Sequence, residues 1–85
     1  MSTTELQLLA TYRRTAIPVE QACTDFLGIS PDQARRKAAL NQLPFATFRL
    51  GESQKSPLLV RLSDLAKAID TRAAEAEAER INALV

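Results

Sequence analysis

Histidine and tryptophan are absent from this chain, and there is one cysteine (Cys23), one tyrosine (Tyr12) and only two glycines in 85 residues. Without histidine there is neither an imidazole acid–base group nor an imidazole metal ligand. A lone cysteine closes no intramolecular disulfide and builds no zinc site of cysteines and histidines. No apolar run approaches the roughly 18 residues that a membrane-spanning helix needs. The start, Met1-Ser2-Thr3-Thr4-Glu5, lacks the basic residues of a signal peptide. The carboxylates are scattered and no nucleophile has a plausible base beside it. Together these absences predict a cytoplasmic protein with no cofactor, no metal and no membrane partner, and not an enzyme.

What is present is ordinary for a folded chain: 46% apolar and 25% charged residues. At this length a single small domain spanning 1–85 is expected, burying only about 60–65% of its unfolded surface. Three phenylalanines and one tyrosine thin the core further, and self-association would add what it lacks. Net charge is only +1, but it is unevenly spread. Residues 33–61 hold Arg35, Arg36, Lys37, Arg49, Lys55 and Arg61 against Glu52 alone, a balance of +5. Residues 62–85 hold three bases and five acids, a balance of −2. A basic middle and an acidic tail point to two surfaces with two partners; the plainer alternative is clustering on solvated faces.

The periodicity predicts mainly α structure with a small β-hairpin. Thr4-Glu5-Leu6-Gln7 has the form of a capping box and opens a helix to about residue 13, with Leu6, Leu9 and Ala10 as its buried stripe. Ala16-Ile17-Pro18 breaks the chain, because a residue before proline avoids the helical region. From about Pro18, Val19, Ala22, Cys23, Phe26 and Leu27 recur at helical spacing, which makes Cys23 a buried hydrophobe rather than a reactive thiol. Gly28 suits a left-handed cap. Ser30-Pro31-Asp32-Gln33 then forms a second capping box and starts a third helix ending near Asn41, with Ala34 and Ala38 as its buried edge. After Pro44, Phe45-Ala46-Thr47-Phe48-Arg49-Leu50 and Leu58-Leu59-Val60-Arg61-Leu62 read as two strands joined by the polar loop 51–57. Leu58, Val60 and Leu62 supply its inward face, with Phe48 and Leu50 opposite. Ser63 caps a last helix, about 63–85, anchored by Leu65, Ala66 and Ile69. Its alanine–glutamate stretch beyond Arg72 has little to bury and projects, ending in Ile81, Leu84 and Val85.

Two helices joined by Gly28-Ile29-Ser30 and followed by a basic hairpin make a winged helix-turn-helix in outline, with an extended C-terminal helix. A helix fits the DNA major groove, and a hairpin tip reaches phosphates beside it. At about 100° per residue, Arg36 stands nearly opposite the Ala34/Ala38 edge. Gln33, Arg35 and Arg36 are the candidate base readers, since arginine grips guanine bidentately and glutamine pairs with adenine. Lys37 snorkels to a phosphate, and Ser30 and Arg49, with Ser53, Gln54 and Lys55 at the wing, complete the expected DNA-binding set. Taken alone, Arg35-Arg36-Lys37 is an ordinary solvated helix face and the loop an ordinary polar turn; their succession favours DNA. Specific sites need more than one module, so a homodimer or homo-oligomer is expected, with Ile81, Leu84 and Val85 as the contact. The alternative is a frayed, solvated end.

A likeness accompanies this reading. Ile17-Pro18, Asp25-Phe26-Leu27-Gly28, Ala34-Arg35-Arg36-Lys37, Leu43-Pro44 and Phe48-Arg49-Leu50 occur in that order. They lead into Gly51-Glu52-Ser53-Gln54-Lys55-Ser56-Pro57, Val60, Asp64-Leu65-Ala66 and Ile69-Asp70. Over about residues 8–72 the chain resembles the pyocin activator family of phage-derived transcription regulators; its helix-turn-helix half also fits excisionase-like and MerR-like domains. The resemblance implies a DNA-contacting helix at 30–41, a wing at 49–55, and a place in the bacterial cytoplasm, on the nucleoid when bound. Double-stranded DNA is then the partner, with RNA polymerase or a recombinase beside it. A prophage excisionase-like architectural protein, and a phage accessory protein that binds and inhibits a host protein, remain the alternatives.

Overall fold

A computed structural model describes residues 1–84; Val85, and the contact expected of it, lies outside the described residues. The first helix, α1, runs over Thr3–Tyr12. Its cap is Ser2, whose hydroxyl accepts from the Glu5 backbone N–H at 3.1 Å, so the expected box at Thr4 is displaced by two residues. Thr4 instead donates to Asp70 of the last helix at 2.5 Å. The buried face is correspondingly different: Leu8 is buried, Leu9 half-buried, and Leu6 and Ala10 exposed. Thr4, Leu8 and Tyr12 share one side of the helix at four-residue spacing, and the position of the last helix selects that side over the one carrying Leu6. Arg13, in the left-handed region at φ 55°, ends α1.

The chain then enters a strand where a break was expected. Strand β1, Ala16–Pro18, pairs antiparallel with β2, Leu59–Arg61, in the register Ala16↔Arg61, Ile17↔Val60 and Pro18↔Leu59. The preference that keeps Ile17 out of the helical region puts it in extended geometry. Pro18 is tolerated because β1 is an edge strand and Leu59 opposite it directs both its N–H and its carbonyl to Phe48, so the missing proline N–H costs no ladder bond. Ile17 and Val60, both wholly buried, face one another at the centre of this two-stranded sheet.

Helix α2 occupies Val19–Ala22, and Cys23–Leu27 continues it as a π-helical turn. The wider winding explains why the expected stripe holds only in part. Val19, Ala22 and Cys23 are fully buried, whereas Phe26 and Leu27 are swung outward to 43% and 40% exposure. Burial, followed by the charge of Glu20, pushes the Cys23 thiol up from its ordinary pKa, with Lys37 opposing, so the sulfur stays protonated and inert. Gly28, at φ 67°, forms the left-handed cap. Helix α3, Pro31–Ala39, opens on the expected box: Ser30 Oγ accepts from the Gln33 N–H, and Gln33 Oε1 accepts from the Ser30 N–H, both at 3.2 Å. Ala34 and Ala38 are its buried edge, and Asn41 turns the chain away at φ 54°.

The expected hairpin is much reduced. Phe48 alone bridges Leu59, its N–H donating to the Leu59 carbonyl at 2.9 Å and its carbonyl accepting at 2.7 Å. Beyond it the chain leaves the ladder, and Leu50 is 82% exposed rather than packed on a sheet face. The last helix, α4, begins at Leu62 without waiting for Ser63 and runs to Leu84. Leu62, Leu65 and Ala66 are buried and Ile69 is packed against them. From Thr71 to Leu84 every residue is exposed, which gives the molecule its 52 Å long axis against 27 and 17 Å. Arg72 pairs with Glu75 and Glu79, and Arg80 with Glu77, along this free length.

The core has two parts. Leu8, Ile17, Ala22, Val60, Leu62, Leu65 and Ala66 form one, and Val19, Cys23, Ala34 and Ala38 the other, with Phe45 packed against both. Across the α1 side, Tyr12 stacks obliquely on Phe26, ring centres 6.4 Å apart, and donates its hydroxyl to Asp25 at 2.6 Å. Burial, the hydrogen bond and the Asp25 charge push the phenol up to about 12. Its contribution to stability is therefore complete below the ordinary pKa near 10 and lost as pH climbs through about 12. Tyr12 is the sole tyrosine, so phenolate absorbance should show a folded midpoint well above that in denaturant; equal midpoints would contradict the packing. Ile17→Ala should cost about 2–5 kcal/mol in urea unfolding, a large share of the stability of so small a chain.

Candidate nucleic-acid interface

Helix α3 rests on α2 through alanines, which lets the two backbones come close and leaves every long side chain of α3 outside. The 49–56 loop folds toward the same side. Arg49 Nε donates to the Ser56 carbonyl at 3.1 Å, the Ser56 N–H to the Ser53 carbonyl at 3.0 Å, and the Lys55 N–H to Ser53 Oγ at 3.0 Å. Gly51 permits this closure, because a side-chain carbon there would collide with Ser56. Between loop and helix opens a cleft of about 530 Å3. Arg35, Arg49, Gln54 and Lys55 line it together with Glu20, Thr47 and Phe48.

Three bases and one acid therefore converge from segments far apart in sequence. Glu20 was not among the residues singled out by pattern, yet it pairs with Arg35 at 3.3 Å. Arg35 also pairs with Asp32, so its guanidinium braces α3 against α2. Arg61 is likewise engaged, bound to Asp64 through two hydrogen bonds of 2.9 and 3.2 Å. Of the six bases between residues 33 and 61, Arg36, Lys37, Arg49 and Lys55 have no ion pair among the described residues. Arg36 and Lys37 are exposed on α3 outside the cleft lining, with Arg36 opposite the buried Ala34/Ala38 edge. Ser30 and Gln33 sit at the N-terminus of α3, their side chains engaged in the cap, and Ser53 shapes the loop tip rather than the cleft wall. The arrangement presents a helix and a loop edged with cations, suited to contacting polyanionic backbone. Among the described residues no cluster of metal-ligating side chains occurs, and no helix is long and apolar enough to cross a membrane.

The family profile described as pyocin activator protein PrtN matches residues 4–76. The chain belongs to the pyocin activator family. This is a family of phage-type transcription regulators, not of enzymes. The matched residues take in both parts of the core, α3, the 49–56 loop and the anchored part of α4; they stop short of Ile81 and Leu84. Neither a curated protein nor a solved structure matches the chain significantly.

The loop geometry carries its own test. Gly51→Ala should open the 49–56 loop, read as changed amide shifts confined to it and Phe48, while the urea midpoint of the whole protein moves little. Shifts spread through α1 and α4 would show that the loop is not an independent closure.

Proposed function

We propose that this pyocin activator family member binds double-stranded DNA sequence-specifically, with α3 entering the major groove and the 49–56 loop serving as the wing of a winged helix-turn-helix. The observation that carries the reading is the convergence of Arg35 from α3 with Arg49, Gln54 and Lys55 from the loop around one open cleft. In this reading Arg36 is the principal base reader, since it is exposed, without an ion pair among the described residues, and opposite the anchored edge. Gln33 reaches a neighbouring base from the first turn. Lys37, Arg49 and Lys55 neutralise phosphates, and Ser30, Ser53 and Gln54 add hydrogen bonds to the backbone. Arg35 reaches a base edge only by exchanging Glu20 and Asp32 for it; both of those pairs are solvent-exposed, and such pairs contribute about 1 kcal/mol or less.

Binding to the cognate duplex should fall steeply with salt. Arg36→Ala should weaken the cognate site by about tenfold or more, the loss of one bidentate contact worth about 1–3 kcal/mol, and blunt discrimination at one base pair. Lys55→Ala should weaken all duplexes alike and reduce the salt slope by about one unit. Fluorescence anisotropy over a salt series measures both. Cognate binding untouched by Arg36→Ala would remove α3 as the reader, and salt-independent or absent duplex binding would favour a protein partner. A footprint beside a promoter supports activation; direct repeats at an attachment site support an excisionase-like role.

A further inference from the structure

An apolar groove of about 590 Å3 runs beside the point where α4 leaves the core. Phe26, Leu27, Phe45, Leu65, Ile69 and Ala73 form most of its surface, and Arg72 is the charged residue on its lining. Phe26 and Leu27 remain available there because the π-helical turn swings them out of the core. Farther along the same helix, Leu84 is 75% exposed and Ile81 50% exposed. At about 100° per residue, Ile69, Ala73, Ala76, Arg80 and Leu84 lie within about 80° of one another, on the side of α4 that borders the groove.

We propose that this groove receives the α4 tail of a second copy of the chain, laid antiparallel, with Leu84 of each copy seated against Ile69, Phe26 and Leu27 of the other. With Leu84 beside Ile69, the two-fold axis passes near Ala76 and Glu77. The register then sets the long Arg80 over the small Ala73 and small Ala76 at the closest approach. Charge follows the same register: Arg72 flanks the contact on the edge where Glu79 of the other copy arrives. These two groups already attract within one helix, at 3.5 Å, and pairing exchanges that contact for its equivalent between copies. Ile81 falls at the edge of the contact, so Leu84 is the anchor. From Ile69 to Leu84 the helix is about 24 Å long. A contact of that length falls at the low end of specific interfaces, below about 1,200 Å2 in total, so association belongs in the micromolar range. The groove shares no lining residue with the cleft beside α3, so pairing leaves that cleft open, and the proposal stands independently of what the cleft binds.

Sedimentation equilibrium of the full-length protein should show a monomer–dimer equilibrium. Leu84→Glu, at a site whose exposure spares the fold, should weaken dimerisation by about tenfold or more with an unchanged circular dichroism spectrum. Leu27→Glu, on the opposite side of the contact, should do the same. Ala76→Cys, close to the axis, should give a covalent dimer on mild oxidation, with the native Cys23 buried and silent. Ala83→Cys should not, since antiparallel pairing keeps the two copies of that residue about 20 Å apart. A monomer throughout, a dimer indifferent to Leu84→Glu, or cross-linking through Ala83→Cys in place of Ala76→Cys overturns the proposal.

Discussion

The pairing of Ile17 with Val60 is the contact on which the arrangement depends. Both side chains are wholly buried, and their strands are each only three residues long. Two such strands have little stability alone, so they persist because α1, α2 and the start of α4 enclose them. In return the pair fixes three things at once. It ends the α1 connection, starts α2 directly after Pro18, and launches α4 directly after Arg61. The Leu62 N–H donates to the Thr15 carbonyl and the Val19 N–H to the Leu58 carbonyl, extending the pairing just beyond each strand.

From that centre the molecule divides its burial unequally. The larger residues gather between α1, the sheet and α4, while α3 is held mainly through Ala34 and Ala38. Alanine edges bury little area, and the Ser30–Gln33 box and the exposed Arg35–Glu20 pair add modest further support to α3. This suits a helix whose exposed faces carry cations. It stands close to α2, and among the described residues Arg36 and Lys37 have no acidic partner. Five of the ten acidic residues instead lie on α4, where Arg72 and Arg80 already engage its three glutamates. The basic cleft and the α4 tail are thus separate surfaces.

The π-helical turn at Cys23–Leu27 links local geometry to surface chemistry. A regular helix through Leu27 would have turned Phe26 and Leu27 toward the core with Val19 and Cys23. The wider turn keeps Cys23 inside, releases the next two side chains, and lets Phe26 meet Tyr12. An apolar groove beside α4 is the consequence.

Local chemistry alone determined a good deal here. The Ser30–Gln33 box, the Gly28 cap and the Ala34/Ala38 edge were all legible, because capping and helical periodicity act over four residues or fewer. So was the projecting end of α4, because an alanine–glutamate stretch without large apolar residues has little to bury, and so was the family, from motifs spread along most of the chain. Tertiary structure decided the rest. Strand β1 was hidden behind Ile17-Pro18, since a three-residue strand has too little period to recognise and its partner lies over forty positions away. The face of α1 depended on where α4 lies, which no pattern within α1 records. The hairpin shrank to Phe48 because the close approach of Gly51 to Ser56 and the Arg49–Ser56 bond turn the chain early. The candidate site divided in the same way. Its cations were visible as a local excess of charge, but Glu20 joined them only through the packing of α2 on α3. Which bases are braced and which are free is a property of distances between segments, and only the folded chain sets those.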